Sequence, residues 1–501
     1  MTNNSFRAIM ISRRDFTKGL AIFGAGAAVF GLDACTNTDQ PGQTSSTPTA
    51  QPQATQTAVS SQPFPGNVIL GRPTANSITS SLLSAAIFEV YAEYGTGSGN
   101  YVRQTGHINL QPNQPVELDM SGLSQNTQYY YRLRYRPSGQ SDFLAGTEAT
   151  FHTQRSSGDN FIFTVQADWH HDENTAENIY ITTLANALAA KPDFHIDLGD
   201  TFMGDKWAKN YTDLAARYAD ERRLFSPLCT STPLFLVNGN HEGENGWTIN
   251  NNANSLPIWA SNCRNLYYPN PIPDDFYSLS TVKDTLSGLR RSYYSWSWGN
   301  SLFVVLDPYW YTVSAKSPSG WDWTLGKEQH DWLVTTFGKS KATFKFVFCH
   351  NLVGGFDMGS NGNGRGGIEA AKFYEWGGLN TDGSWGFDNQ RPGWGKPIHQ
   401  LFVDNKVTIF FHGHDHFYGK QILDGVTYQE CAQPGETNNM IHADEYGYKS
   451  GEFIGSSGYM RIQVAADRVV ADYISTYLPA QETATHKNGE IASSYTLRAI
   501  G

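Results

Sequence analysis

The chain has 501 residues and a formal net charge of −11, with 17% charged residues, 48 glycines, 13 tryptophans and 26 tyrosines. That length leaves room for two or three domains and a large core, which excludes a small stapled scaffold. The acidic balance and the lack of a basic stripe exclude a nucleic-acid scaffold as the default partner, and sparse charge with abundant glycine and aromatics suits an extracytoplasmic chain.

Residues 12–18 read Ser-Arg-Arg-Asp-Phe-Thr-Lys and precede an apolar run from Gly19 to Leu32. This resembles a twin-arginine export signal, with Thr17 where a larger apolar residue is usual, and the run is too short for an ordinary membrane span. Leu32-Asp33-Ala34-Cys35 resembles a lipobox with an unusual Asp33. Residues 1–35 therefore imply export to the cell envelope, followed either by membrane anchoring through a lipid on Cys35 or by cleavage and secretion. Residues 36–65 are Thr, Ser, Gln and Pro with almost no large apolar side chain, and read as a disordered tether. None of the five cysteines forms a Cys-x-x-Cys pair. Cys229 with Cys263 is a candidate disulfide whose connectivity the sequence leaves open.

From 66 to 154, short β-rich runs alternate with Gly, Asn and Pro turns. Tyr129, Tyr131, Leu133 and Tyr135 recur at a period of two, one face of a half-buried strand, so a small all-β sandwich is expected. The segment Leu123-Ser-Gln-Asn-Thr-Gln-Tyr129-Tyr-Tyr131-Arg132 resembles the signature of a fibronectin type III domain with its tyrosine corner.

Beyond Phe161 the pattern changes to strands alternating with amphipathic helices. Phe161 to Val165 runs into Asp168-Trp-His170, and a helix is expected over Asn174 to Ala190, with Ile181, Leu184 and Leu188 on its buried face and Thr175 as its cap. Phe194 to Leu198 opens into Gly199-Asp200, and Pro233 to Val237 into Gly239-Asn240-His241-Glu242. Phe344 to Phe348 leads to His350, and Val407 to Phe411 to His412-Gly-His414-Asp-His416. Five apolar strands thus each end in residues that can bind a metal. Strand ends deliver single side chains from distant sequence onto one rigid edge, which a two-metal centre with about seven N and O ligands requires. Glycine before Asp200, Asn240 and His414 permits sharp turns and close approach. His171 is expected at the surface and His195 in the core. The loop from Gly354 to Trp394, with Arg365, Trp376, Trp385 and Trp394, is either a substrate lid in which Arg365 meets phosphate or aromatic packing. The residues beyond 480 read as a polar, peripheral tail.

These five blocks resemble the calcineurin-like metallophosphoesterase superfamily over about residues 158–480, and with the preceding sandwich they are similar to purple acid phosphatases. Tyr293 to Asp307 resembles the strand pair beside the family's centre, and Gly326 to Leu333 its following helix. The resemblance implies a four-layer α/β/β/α sandwich following the small β-sandwich. It implies two divalent ions of Zn, Mn or Fe, with Asp168, His170 and His416 on one, Asn240, His350 and His414 on the other, and Asp200 bridging. His241 would touch the phosphoryl group and protonate the leaving oxygen, supported by Asp205 or Glu242, while His412 would stay outside the ligand set. Hydroxide bridging the metals would attack a phosphate ester, a monoester first and otherwise a diester or nucleotide. Two divalent ions outweigh Asp168 and Asp200, so phosphate can bind locally in an acidic protein. Where purple acid phosphatases place an iron-binding tyrosine, three residues after the bridging Asp, this chain has Met203, which implies a colourless protein. A reading of another class is a surface binding protein with an inactive metal domain.

Overall fold

The computed structural model describes residues 61–312, 319–354, 365–438, 441–455 and 457–499. The chain divides into Met1–Ala58 and a unit from Val59 to Gly501, and every described residue belongs to the second. The export signal, Cys35, most of the tether and residues 355–364 of the long loop lie outside the described residues.

The first nine strands are antiparallel and form two sheets. Asn67–Gly71, Ser77–Leu83 and Val116–Ser121 make one; Phe88–Gly95 and Gln128–Pro137 lead the other. Along Gln128–Pro137 burial alternates strictly, with Tyr129, Tyr131, Leu133 and Tyr135 turned in against Val68, Leu82 and Phe151. The Tyr129 hydroxyl accepts the Ser124 N–H at 2.9 Å, closing a tyrosine corner. Tyr131 and Arg222 join this sandwich to the helical layer beside it. The Tyr131 hydroxyl donates to the Thr230 carbonyl at 2.7 Å. The Arg222 guanidinium is fully buried and donates to the Ser81 hydroxyl and carbonyl and to the Tyr267 carbonyl.

Two mixed sheets come next, face to face. One has six strands, in which Phe161–Gln166, Phe194–Asp197 and Leu234–Leu236 run parallel and Gly458–Val464, Arg468–Ser475 and Ile491–Arg498 complete the other half antiparallel. The second has eight, with Ser301–Val305, Phe344–Phe348, Ile409–His412 and Val426–Glu430 parallel at its centre. Between them lies an aromatic core in which Phe163 meets Phe194, Phe303 and Phe346 at ring-centroid distances of 5.5, 5.2 and 5.1 Å. Each such buried side chain contributes roughly 1.5–3 kcal/mol by leaving water. Helices Glu177–Ala189, Tyr211–Cys229 and Leu256–Tyr267 cover the outer face of the first sheet, and Lys327–Lys339 and Ile398–Asp404 that of the second. Helix, sheet, sheet, helix is the four-layer order expected.

Several sequence expectations are corrected. The first helix starts at Glu177, and Thr175 bonds to Asp172 instead of capping it. Its buried face is Ile179, Tyr180, Thr183, Leu184 and Ala187, whereas Ile181 is 47% exposed, because the aromatic stack of Tyr180 on Trp169 at 4.0 Å sets the helix rotation. Cys229 and Cys263 are both buried and free, so the candidate disulfide is not formed. The expected peripheral tail is exposed over residues 481–489, but Ile491–Arg498 pairs along Arg468–Ser475, and Tyr495 reaches the core, its hydroxyl donating to Gln429 at 2.9 Å. The hairpin of Gly458–Val464 and Arg468–Ser475 lies in the first sheet, beside Phe161–Gln166. Among the described residues, no helix is long and apolar enough to cross a membrane.

Candidate metal centre

The parallel strands of both sheets end toward one another, and the residues just beyond them meet. Asp168, His170 and His416 form one group and Asp200, His350 and His414 another, each with its ligand atoms within 4.8 Å of one another. The two groups are contiguous. Asp168 Oδ1 lies 3.7 Å from His170 Nε2, 3.6 Å from His416 Nε2 and 3.6 Å from His350 Nε2, while Asp200 Oδ2 lies 3.1 Å from His350 Nε2 and 3.6 Å from His170 Nε2.

Holding these side chains together strains the backbone. Asp168, His170, Asp200, His414 and His416 all lie in the left-handed region, at φ of 62°, 58°, 55°, 79° and 68°. Non-glycine residues seldom adopt it, at a cost of about 1–3 kcal/mol each, so the surroundings must enforce it. They do so with hydrogen bonds between loops. The Gly199 carbonyl accepts the Asp168 N–H and the Asp200 carbonyl accepts the His170 N–H, both at 2.9 Å. Asp168 Oδ2 accepts the His414 N–H at 2.8 Å, and Asp200 Oδ1 the His241 N–H at 2.7 Å. Close approach leaves no room for a side chain at two glycines: a Cβ on Gly413 would stand 2.5 Å from Asp168 Oδ2, and one on Gly239 2.3 Å from Asp200 Oδ1.

Glu242 does not reach His241. Its Oε2 accepts the N–H groups of Gly239 at 2.5 Å and Asp200 at 2.9 Å, and its Oε1 those of Thr201 and Phe202 at 2.8 and 3.2 Å. Burial and the nearby Asp200 push this carboxyl up, and the N–H groups of Asp200 and Thr201 only partly counter them. Asp205 is the partner of His241, with both carboxylate oxygens 2.9 Å from Nδ1. His241 Nε2 then faces inward, 4.0 Å from Asp200 Oδ2. Burial opposes its protonation, but Asp200 and Asp205 prevail and raise it.

The inward atoms are without partners. Asp168 Oδ1, His170 Nε2, Asp200 Oδ2, Asn240 Oδ1, His350 Nε2 and His414 Nε2 are each buried and make no hydrogen bond. Their far sides are engaged: His350 Nδ1 donates to the Leu198 carbonyl at 2.9 Å, which leaves the Nε2 lone pair pointing inward. Six orphaned N and O atoms at one point would cost roughly 1–3 kcal/mol apiece, and a cation is the group that relieves them together. Burial opposes protonation of His350, but Asp200 and Asp168 push it up to about 9, so these carboxylates favour a positive charge beside Nε2; burial holds His414 and His416 down instead. The set of imidazole, amide and carboxylate without thiolate suits Zn, Mn or Fe(II).

Other residues fall outside this convergence. Arg365, expected at the substrate, donates to the His414 carbonyl at 3.2 Å and Asp415 at 3.1 Å and stacks 4.1 Å over Tyr446, bracing the turn that carries His414. Asp415 points away, accepting from the Gly366 N–H and the Tyr448 hydroxyl. His412 Nδ1 lies 2.6 Å from buried Glu430. His171 is partly buried against Glu221 at 2.7 Å, and His195 is wholly buried against Thr164. Trp376 is core, its indole donating to Tyr428, while Trp385 and Trp394 pack beside Phe387 and His330. Met203 is fully buried, with φ of 50°. Sequence reasoning missed Asp172, 3.4 Å from His170 Nδ1 and held down to about 2 by that imidazole; the carboxylate two residues after the histidine was the available signal. It also missed the bracing role of Glu430, whose Oε1 accepts the Asp415 N–H and which no local motif marks.

The model of the calcineurin-like phosphoesterase family matches residues 161–418. Among solved structures, the fold is similar to that of PhoD, at 16% identity and a TM-score of 0.61 over 88% of this chain and 91% of that one. It is also similar to purple acid phosphatase PPD1 from yellow lupin (Lupinus luteus) seeds, at 14% identity and a TM-score of 0.55 over 88% and 75%. No curated protein matches the sequence.

Proposed function

Because the chain belongs to the calcineurin-like phosphoesterase family, we propose that it is a metal-dependent phosphohydrolase that cleaves phosphate monoesters with two divalent ions. The observation that carries this is the convergence of six buried, partnerless N and O atoms from five strand ends. Asp168, His170 and His416 would hold one ion and Asn240, His350 and His414 the other, with Asp200 between them. When bound, the ions would supply the positive charge that attracts a phosphoryl group and would acidify water.

The rest of the chemistry belongs to the chain's own side chains. His241, with 22% of its side chain exposed, stands where the centre meets solvent. With its Nδ1–H donated to Asp205, a proton on Nε2 faces the centre and is placed for transfer to a leaving oxygen. Asp205 and Asp200 favour the imidazolium that donates it. Glu242 and the Gly413 and Gly239 contacts keep the loops in register, so the geometry is set before substrate arrives.

Purified protein reconstituted with Mn or Zn is expected to turn over a chromogenic monoester faster than the matching diester. A faster diester would reassign the specificity, and no metal-dependent turnover of either would refute the hydrolytic assignment. Export to the cell envelope is part of the proposal, supported by Arg13-Arg14 and the Leu32–Cys35 segment. Replacing both arginines by lysine should retain the protein in the cytoplasm on fractionation, and an unchanged distribution would contradict it.

A further inference from the structure

The second sheet carries an unbalanced charge at the end opposite the metal centre. Lys345 stands at the start of the strand Phe344–Phe348, whose other end leads to His350. Five residues of extended chain, at roughly 3.3 Å each, put Lys345 about 16 Å from that histidine. A cleft of about 660 Å³ opens here, lined by Lys341, Lys345, Lys406 and Arg498. No carboxylate side chain lines it among the described residues, although the chain has a net charge of −11. The acids beside it in sequence turn elsewhere: Asp404 pairs with Lys396 at 2.5 Å and Asp424 with His399 at 3.1 Å. Arg498 reaches Asp467 at 3.8 Å, and both of these side chains are exposed.

Lys345 is the group that needs an explanation. It is 9% exposed, and its ammonium donates to the Ala342 carbonyl at 3.2 Å without an ion pair among the described residues. One of its three protons is thereby engaged and two remain. Burial and the nearby Lys406 push its protonation below the ordinary lysine range. A cation buried without a counter-charge, beside a like charge, is destabilising, and a bound anion relieves both effects. Two hydroxyls in the cleft are also ready to donate. Ser340 and Thr408 accept the N–H groups of Ala342 at 3.2 Å and Lys345 at 3.0 Å, which leaves their own protons available. Lysine meets phosphate as a compact point charge, and several cations with no acid among them favour a doubly charged anion over a single carboxylate.

We infer that this cleft is a second anion site that binds a doubly charged phosphate group, with Lys345 as its central donor and Lys341, Lys406 and Arg498 around it. The site is separate from the metal centre and does not depend on the hydrolytic assignment. Two sources present this chemistry, free inorganic phosphate and the monoester headgroup of phosphatidate in a membrane.

The test uses the full chain treated with chelator, in which the emptied metal centre presents carboxylates that repel phosphate. Isothermal titration with inorganic phosphate reads the free anion, and co-sedimentation with phosphatidylcholine vesicles, with and without phosphatidate, reads the headgroup. One phosphate bound per chain is expected, with a melting temperature raised by phosphate and not by chloride at the same ionic strength. Lys345→Met should weaken binding about 10–100-fold, as loss of one charge-assisted hydrogen bond does. Lys341→Met, at an exposed position before the strand, should weaken it by a smaller factor and decides the matter if Lys345→Met does not fold. Sedimentation that requires phosphatidate and is lost in these variants names the lipid as the source, and phosphate titration without it names the free anion. Binding of neither probe, an equal response to chloride, or unchanged affinity in the folded variants overturns the site.

Discussion

Glu242 gathers four backbone N–H groups onto one carboxylate and so ties the turn at Asp200 to the turn at Gly239. Glu242→Gln would turn an NH2 group toward those donors, and metal affinity should fall about 10–100-fold, as for lost outer partners of ligands. Competition with a chelating dye measures this, and an unchanged affinity would remove Glu242 from the site's architecture. Asp200→Asn and His414→Ala should each abolish turnover with the circular dichroism spectrum preserved; wild-type rates in either would exclude that residue from the centre. His241→Ala should cost about 10²–10⁴-fold in kcat, the range for a positioned acid, and the Asp205→Asn loss should be smaller and lie in the same parameter. At this scale the sequence displayed residue types and spacing, because ligand atoms are carried by particular side chains. It could not display the left-handed backbone at Asp168, His170, Asp200, His414 and His416, which neighbouring loops impose. Nor could it show that Arg365 is spent on the His414 carbonyl.

Strands were more legible than helices. An apolar run such as Phe344–Phe348 is buried on both faces and has few alternatives, and its bounds agree with the expectation residue for residue. The helix Glu177–Ala189 has a weak apolar stripe, and contact with Trp169 decided which face turned inward. Ile491–Arg498 was missed because it alternates small and polar residues, with Ser493 and Tyr495 as its inward positions, a pattern that is a strand only beside Arg468–Ser475. The turn from His412 to His416 contributes to both metal groups, so one residue inserted between His414 and His416 should eliminate activity while the aromatic core keeps the chain folded. Without any carboxylate, Arg222 joins the helix Tyr211–Cys229 to the first sandwich through the hydroxyl and carbonyl of Ser81, and to the helix Leu256–Tyr267 through the Tyr267 carbonyl. Arg222→Met leaves those acceptors buried and unpaired, and should lower stability by about 2–4 kcal/mol in urea unfolding; no loss would show that the contact is replaced by packing.

For the whole molecule, stability should depend on pH through Asp197. Burial pushes this carboxyl up to about 7, against the hydrogen bonds from Gln166 and Thr201. A carboxyl raised in the folded state stabilises the fold when neutral, so its contribution is complete below its ordinary value of 3.8 and is lost as pH rises through 7. Thermal melting of the chelator-treated protein should therefore decline from pH 5 to 8, and Asp197→Asn, uncharged throughout, should flatten that decline; parallel curves would contradict the assignment. On the proposed function, the two packed sheets would let a chain of net charge −11 hold an anionic substrate: they bring their strand ends into one small volume in which two divalent ions would outweigh the local carboxylates.

The proposed hydrolysis would depend on the partnerless atoms of Asp168, His170, Asp200, Asn240, His350 and His414, with His416, acting as the ligands of two metal ions. Isothermal titration of the chelated protein with Mn or Zn tests this most directly. Two ions bound per wild-type chain, with at least one lost in Asp200→Asn, is the result expected, and no binding, or two ions bound equally well by Asp200→Asn, would contradict it.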